Sequence, residues 1–139
     1  MNWLSYAIAT LLLYTLHDIL LKQLSGGSNA ILSAFVINLS AAVVLLVVLL
    51  VAKTGVEPVA LKEIGVMAVA GIALGFATVT FIYSFSKGGD FSVVMPLVYI
   101  GIIALSVVAG YLLFKEQISS MQLLGIALSC VGIYLMVRK

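Results

Sequence analysis

Five long hydrophobic segments constrain this chain more than any other feature of its 139 residues. Each segment holds between 17 and 24 residues, close to the roughly 20 that an α-helix needs to cross a bilayer core about 30 Å thick. A spanning segment must satisfy its own backbone hydrogen bonds, and these segments are too long and continuous for barrel strands. We therefore predict an all-α integral membrane protein with a single domain, residues 1–139. Its five transmembrane helices are predicted at Trp3–Leu21, Ala30–Ala52, Ile64–Phe85, Phe91–Phe114 and Met121–Val137.

The composition excludes several other classes of protein. Hydrophobic residues make up 64% of the chain and charged residues 9%, against roughly 25% charged in soluble domains. The net charge of +2 is scattered along the sequence, so no basic patch indicates a nucleic-acid partner. The sequence shows no metal cluster, no paired carboxylates, no nucleophile–base pair and no glycine-rich phosphate loop. We therefore expect neither an enzyme nor a bound cofactor.

The positive charges are divided almost evenly between the two membrane faces. Because five is an odd number, the two termini are predicted on opposite sides of the membrane. The counts are three on the side of the N-terminus and four on the other, namely Lys53, Lys62 and Lys115 against Lys22, Lys87, Arg138 and Lys139. Lys/Arg asymmetry normally fixes orientation, so this balance predicts insertion in both directions. Two opposed copies would form an inverted pair, an arrangement common in transporters.

The first segment carries the ionisable residues that cost most to place in a membrane, His17 and Asp18. An ionisable group at membrane depth is by default a candidate functional site, here for proton exchange or for holding a cationic substrate group. The alternative is structural. Tyr14, Asp18 and Lys22 share one helix face, so Asp18 could simply pair with Lys22 while the lysine extends toward the interface. His17 is also compatible with a packing role.

Further candidates for a substrate cavity lie in the second, third and fourth segments. Asn38 must find hydrogen-bond partners in the membrane, so we expect it to face protein or a cavity. Tyr83 and Tyr99 are candidate lining residues, although interfacial or packing roles are equally open to tyrosine. Pro96 cannot donate to the Ser92 carbonyl, which predicts a bend in the fourth helix. That bend either shapes a cavity or is satisfied by neighbouring hydroxyls.

Small residues recur at helical spacing on the third and fifth segments. Such faces let transmembrane helices approach closely, so they predict packing within one subunit or contact with a second copy. The residues are Gly71, Gly75 and Thr78 on the third segment, and Gly125, Ser129 and Gly132 on the fifth.

Several local patterns, in this order, carry a resemblance to a known family. They are Leu20-Leu21-Lys22, Met95-Pro96-Leu97, Leu113-Phe114-Lys115-Glu116, Gln122-Leu123-Leu124-Gly125 and Gly132-Ile133-Tyr134-Leu135. With them the chain resembles the drug/metabolite transporter superfamily, and specifically its EamA-type five-helix domain, along essentially its whole length. In full-length members two such domains are fused with opposite topology into a ten-helix transporter. The resemblance therefore implies that a lone domain is a half-transporter that pairs with a second, antiparallel copy.

The resemblance also limits the mechanism. Related small multidrug-resistance proteins carry a proton-exchanging glutamate eight residues before the lysine that matches Lys22. Here that position is Tyr14, which cannot exchange protons near neutral pH, so their drug/proton antiport is not transferred to this chain. The family's glutamate after the fourth helix matches Glu116, which we interpret as structural.

Together these observations predict a secondary transporter, an exporter of small organic metabolites, in the cytoplasmic (inner) membrane of a prokaryote. It would work by alternating access as an antiparallel homodimer in the lipid bilayer, with proton coupling through His17 and Asp18 as a further hypothesis. Two alternatives stay open. One is a subunit that moves lipid-linked substrates between leaflets together with a second protein. The other is a structural or assembly subunit that transports nothing.

Overall fold

The computed structural model describes residues 3–52 and 59–138, which form five α-helices and contain no strand. The all-helical fold with five helices is therefore confirmed. Lys53 and Lys139, which enter the charge balance, lie outside the described residues. The helices are α1 (Trp3–Leu24), α2 (Ala30–Val51), α3 (Leu61–Ser86), α4 (Phe91–Leu113) and α5 (Ser120–Val137).

Helix boundaries follow local capping more closely than hydropathy. α1 extends three residues past Leu21, because Lys22 and Gln23 end the apolar stretch but are good helix formers. α2 begins at Ala30, where the Asn29 side-chain oxygen accepts hydrogen bonds from the second and third backbone N–H groups at 2.9 and 3.2 Å. α3 begins three residues before Ile64, since the Glu63 carboxylate accepts a hydrogen bond from the Ala60 N–H at 3.2 Å.

Two further boundaries belong to α4 and α5. α4 contains Pro96 in its interior and still continues to Leu113. It ends before Lys115, which has a φ of 54°, a left-handed conformation that stops a helix. α5 starts at a reciprocal cap: the Ser119 hydroxyl accepts from the Gln122 N–H at 3.2 Å, and the Gln122 side chain accepts from the Ser119 N–H at 2.7 Å.

Four of the helices, α1 to α4, are long and apolar enough to cross a membrane. The apolar stretch of α5, Ser120–Leu135, is shorter, near the lower limit of about 17 residues for a spanning helix. The fold therefore consists of four helices of spanning length and one shorter apolar helix.

The chain divides into two compact units, Met1–Lys87 and Gly88–Lys139. The first unit contains α1 to α3, whose buried residues, among those the structure describes, lie at one end of the unit. That end, here called the joined end, comprises the last turns of α1 and α3 and the first turns of α2. Its core consists of Leu21, Ala30, Ala34 and Ile82, with Ile37, Val79 and Phe81 packed against it.

Away from the joined end, these three helices are exposed on every face. Every described residue is exposed along 3–16 of α1, 39–52 of α2 and 61–74 of α3. Apolar helix surface of this kind is stable only against lipid or another membrane helix. In the second unit α4 packs against α5, and Val94 and Gly110 are its buried residues among those described.

Candidate functional site

Asp18 is the most deeply buried polar residue described in the chain, with 2% of its surface exposed. It lies on α1 at the joined end, one turn before Lys22 and close to the buried Leu21. A carboxyl group at this depth costs free energy unless its surroundings stabilise it. Its position therefore singles out Asp18 among the sequence candidates as an ionisable side chain enclosed by protein.

His17 and Tyr14 form a neighbouring pair on α1. Their rings meet edge to face with centroids 6.4 Å apart, a favourable aromatic geometry. His17 is half-buried, whereas Tyr14 is exposed. Tyr14 therefore faces out of the first unit, toward lipid or a partner, while His17 sits at the edge of the protein interior beside Asp18.

Two contacts connect the end of α1 to the end of α3. The Lys22 ammonium lies over the Phe85 ring, 5.2 Å from its centroid, within the range of a cation–π interaction. The Ser86 hydroxyl donates a hydrogen bond to the Ser25 carbonyl oxygen at 3.1 Å. These contacts place the cation of α1 against an aromatic ring of α3 that is 3% exposed.

Asn38 is half-buried on α2 and satisfies part of its hydrogen-bonding capacity within its own helix. Its side-chain nitrogen donates to the Ala34 carbonyl oxygen at 2.8 Å. This bond lowers the cost of placing an amide in the membrane. The same residue, Ala34, belongs to the core of the joined end, so Asn38 lies where the close packing of α2 ends.

Tyr83 lines an open cavity of about 390 Å³ at the joined end. The cavity is formed by the α1–α2 loop and the end of α3, and most of its side chains carry hydroxyl or amide groups. Its lining residues are Ser25, Gly26, Gly27, Ser28, Asn29, Ala30, Tyr83 and Ser86. Tyr83 thus lies at the end of the helix bundle, at interfacial depth, where tyrosine is favoured.

The second unit holds Pro96 and Tyr99, both half-buried on α4. The structure therefore brings Asp18, Lys22 and Phe85 to one end of the first unit, and it places Pro96 and Tyr99 in the other unit. A cavity shared by all the predicted lining residues stays a prediction.

The small-residue faces have open space beside them in the described part of the chain. A Cβ atom built on Gly71, Gly75, Gly125 or Gly132 would meet no other atom within 4 Å. On α5 the Ser129 hydroxyl donates to the Gly125 carbonyl oxygen at 2.8 Å, so this polar group is satisfied within the helix. Packing of these faces within one subunit and contact with a second copy both stay predictions.

Sequence reasoning did not single out Phe85. Every face of these helices is apolar, so hydrophobic periodicity cannot show which phenylalanine faces the protein interior. One weak signal was present: Phe85 and Ser86 close α3 on the same membrane face as Lys22 and Ser25, which permits contact between the two helix ends.

Within residues 3–52 and 59–138, no group of three or more His, Cys, Asp or Glu side chains is placed to hold a metal ion.

Comparison with family models matches residues 1–138 to the EamA-like transporter family, part of the drug/metabolite transporter superfamily. Comparisons with curated proteins and with solved structures find no significant match. Proteins of this family are multi-pass membrane transporters of small substrates.

Proposed function

Because the chain belongs to the EamA-like transporter family, we propose that it exports small organic metabolites by alternating access as an antiparallel homodimer. The membrane is proposed to be the cytoplasmic membrane of a prokaryote. Contact with the lipid bilayer and a small-molecule substrate follow from the family. Family membership gives neither the direction of transport, nor the dimer, nor proton coupling; we propose these three in addition.

The observation that carries the proposal is the burial of Asp18. A carboxyl group that is 2% exposed in an apolar helix is costly to bury, and ionisable residues at membrane depth commonly mark substrate or proton pathways. It can alternate between a charged and a neutral form, which is the chemistry needed to couple substrate release to proton uptake. His17, next to it and half-buried, is proposed to pass protons between Asp18 and water.

The proposal of a second copy is supported by the surfaces of α1, α2 and α3 that are exposed among the described residues. The exposed halves of α1, α2 and α3 and the open space beside Gly71 and Gly75 offer a surface to another helix. Small residues are where transmembrane helices approach most closely. In an antiparallel pair, the joined end of one copy and the exposed helix halves of the other copy would lie at the same membrane face. If the two copies exchanged conformations, the face from which the substrate site is reached would alternate.

The experiment is transport by purified protein in proteoliposomes, with a panel of labelled metabolites and an imposed proton gradient. We expect Asp18→Asn to keep the fold, because the amide is the same size, and to remove the effect of pH on substrate affinity. Coupled sites typically change each other's affinity by roughly 5- to 150-fold, and in the variant this factor should fall to about one.

The matched control is Glu63→Gln, which removes one carboxylate outside the joined end. The amide oxygen of the new side chain can still accept from the Ala60 N–H, so coupling should be unchanged. If Asp18→Asn retains full proton-driven transport, the assigned role of Asp18 is wrong. If the wild-type protein moves no compound and co-purifies with a second protein needed to move lipid-linked substrates, a flippase subunit is the better account.

A further inference from the structure

The ammonium group of Lys22, in the last turn of α1, lies over the ring of Phe85 on α3. Such side chains normally extend into the headgroup region, where water and lipid phosphates surround the charge. Here Lys22 is half-buried, and its ammonium lies 5.2 Å from the centroid of the Phe85 ring. The ring face of phenylalanine is negative and attracts a cation, more strongly where water is excluded.

Phe85 itself is well fixed. It is 3% exposed, and its ring contacts the Phe81 ring with centroids 5.0 Å apart and planes tilted by 54°. The next residue, Ser86, is hydrogen-bonded to the Ser25 carbonyl of the α1–α2 loop. Because the ring is packed and the adjoining backbone is tied to the end of α1, Phe85 provides a fixed surface for the Lys22 charge.

The position of that charge matters for Asp18. Asp18 and Lys22 are four residues apart on α1, and such pairs have Cβ atoms about 5–6 Å apart on one helix face. A positive charge kept on this face attracts a carboxylate on the same face, and the attraction falls as the distance between the two charges grows. A lysine that extended into the headgroups would carry its charge away from Asp18.

We propose that Phe85 is a positioning residue that holds the Lys22 ammonium beside the buried Asp18 carboxyl through a cation–π contact. Phe85 thereby also fastens α3 to α1 at the joined end. The effect on transport rests on the proposed role of Asp18 in coupling, whereas the position of the ammonium does not.

The first test is solution NMR of the full-length protein in detergent micelles or nanodiscs, with labels on Lys22 and Asp18. In the wild type, the Lys22 ε-methylene protons should be shifted upfield by the Phe85 ring. In Phe85→Leu this shift should disappear, and the side-chain carboxyl ¹³C signal of Asp18 should move as it does in Lys22→Met. Phe76→Leu is the matched control, because it removes a ring from the same helix that is exposed and lies outside the joined end, and it should leave both signals near their wild-type positions.

An isosteric variant separates the loss of the cation–π contact from a loss of the fold. Trifluorinated phenylalanine at position 85 keeps the ring volume but weakens its attraction for cations, and the same substitution at position 76 is its control. We expect the Lys22 signal to move toward its solvent-exposed position only for the substitution at position 85. Phe85→Tyr, which keeps an unfluorinated aromatic ring, should keep the wild-type signals. Unchanged Lys22 and Asp18 signals in the folded fluorinated protein would overturn the inference.

Transport gives the second readout. If Asp18 is the coupling residue, fluorination at position 85 should lower proton-driven uptake roughly two- to fivefold, the factor that corresponds to a typical cation–π contact. Loss of the NMR contact with unchanged uptake would count against the coupling role of Asp18 and leave the positioning of Lys22 established. Changed uptake with an undisturbed Lys22 signal would contradict the role given to Phe85.

Discussion

The backbone and the side chain of Glu116 both lie against Gly110, six residues earlier in the chain. The Glu116 N–H donates to the Gly110 carbonyl oxygen at 3.0 Å, across the left-handed Lys115. The Glu116 side chain folds back so that a Cβ at position 110 would lie 2.7 Å from its Oε2. The glutamate after α4, interpreted from the sequence as structural, therefore covers the end of its own helix.

We expect Gly110→Ala to bring less than the gain in stability that alanine usually gives a helix, because the Glu116 carboxylate must first move aside. Alanine is favoured over glycine by about 1 kcal/mol in a helix interior, but here the new methyl group must displace the Glu116 carboxylate. Thermal unfolding in detergent measures the effect, with Gly101→Ala as the control, since a Cβ there meets no atom within 4 Å.

A double substitution completes the test of this contact. Gly110→Ala with Glu116→Ala should recover the stabilisation, because the obstructing carboxylate is gone. Equal gains for Gly110→Ala and Gly101→Ala in the otherwise wild-type protein would show that the Glu116 side chain does not rest on Gly110.

Residue-level reasoning from the sequence is most informative where the energetic cost is large. A carboxylate in an apolar segment is rare and expensive; Asp18 is buried in the structure, and its role in transport stays a prediction. Phe85 was missed, because a buried phenylalanine and a lipid-facing one are equally apolar and leave the same pattern in the sequence. Whether Tyr14, Tyr83 and Tyr99 line one substrate cavity stays a prediction.

α5 is the shortest of the five helices, with 18 residues, and both side chains of a capping box mark its start. Its first turn is closed by the Ser119 hydroxyl and the Gln122 side chain, which accept each other's backbone N–H groups. This capping box fixes the first residue of the helix at Ser120 and leaves the following apolar residues for the membrane.

We expect Ser119→Ala to destabilise α5 by about 1 kcal/mol, the usual cost of losing a serine N-cap. Circular dichroism during thermal unfolding in detergent measures the loss. Ser120→Ala is the matched control, since its hydroxyl lies one position inside the helix and accepts no cap hydrogen bond among the described contacts. An equal effect of the two substitutions would mean that the box does not set the start of α5.

Helix existence was predictable from hydropathy, whereas helix ends required cap chemistry. The apolar stretch of the third segment suggests a start at Ile64, but the Glu63 carboxylate moves the start of α3 to Leu61. Likewise α1 ends at Leu24 and not at Leu21. Polar residues that favour helices extend a spanning segment into the interface, and a hydropathy boundary cannot register them.

In the first of the two units of the molecule, the closely packed residues lie at one end. α1, α2 and α3 meet around Leu21, Ala34 and Ile82, and the far half of each helix is exposed among the described residues. The sequence predicted five helices but not this arrangement, because contacts between uniformly apolar helices depend on shape and not on pattern. The exposed halves are the surfaces that an inverted second copy would cover in the proposed transporter.

The orientation of the chain in the membrane is the most direct test of the proposed antiparallel homodimer. In a Cys130→Ser background, Ser28→Cys marks the α1–α2 loop and Gln117→Cys marks the α4–α5 loop. Both positions are exposed, and neither substitution alters the Lys/Arg balance. The measurement is labelling in intact cells with a maleimide reagent that does not cross the membrane.

With almost no charge bias to fix orientation, we expect each position to be labelled in about half of the molecules. Complete labelling of one position with complete protection of the other would show a single orientation, and would contradict the antiparallel homodimer.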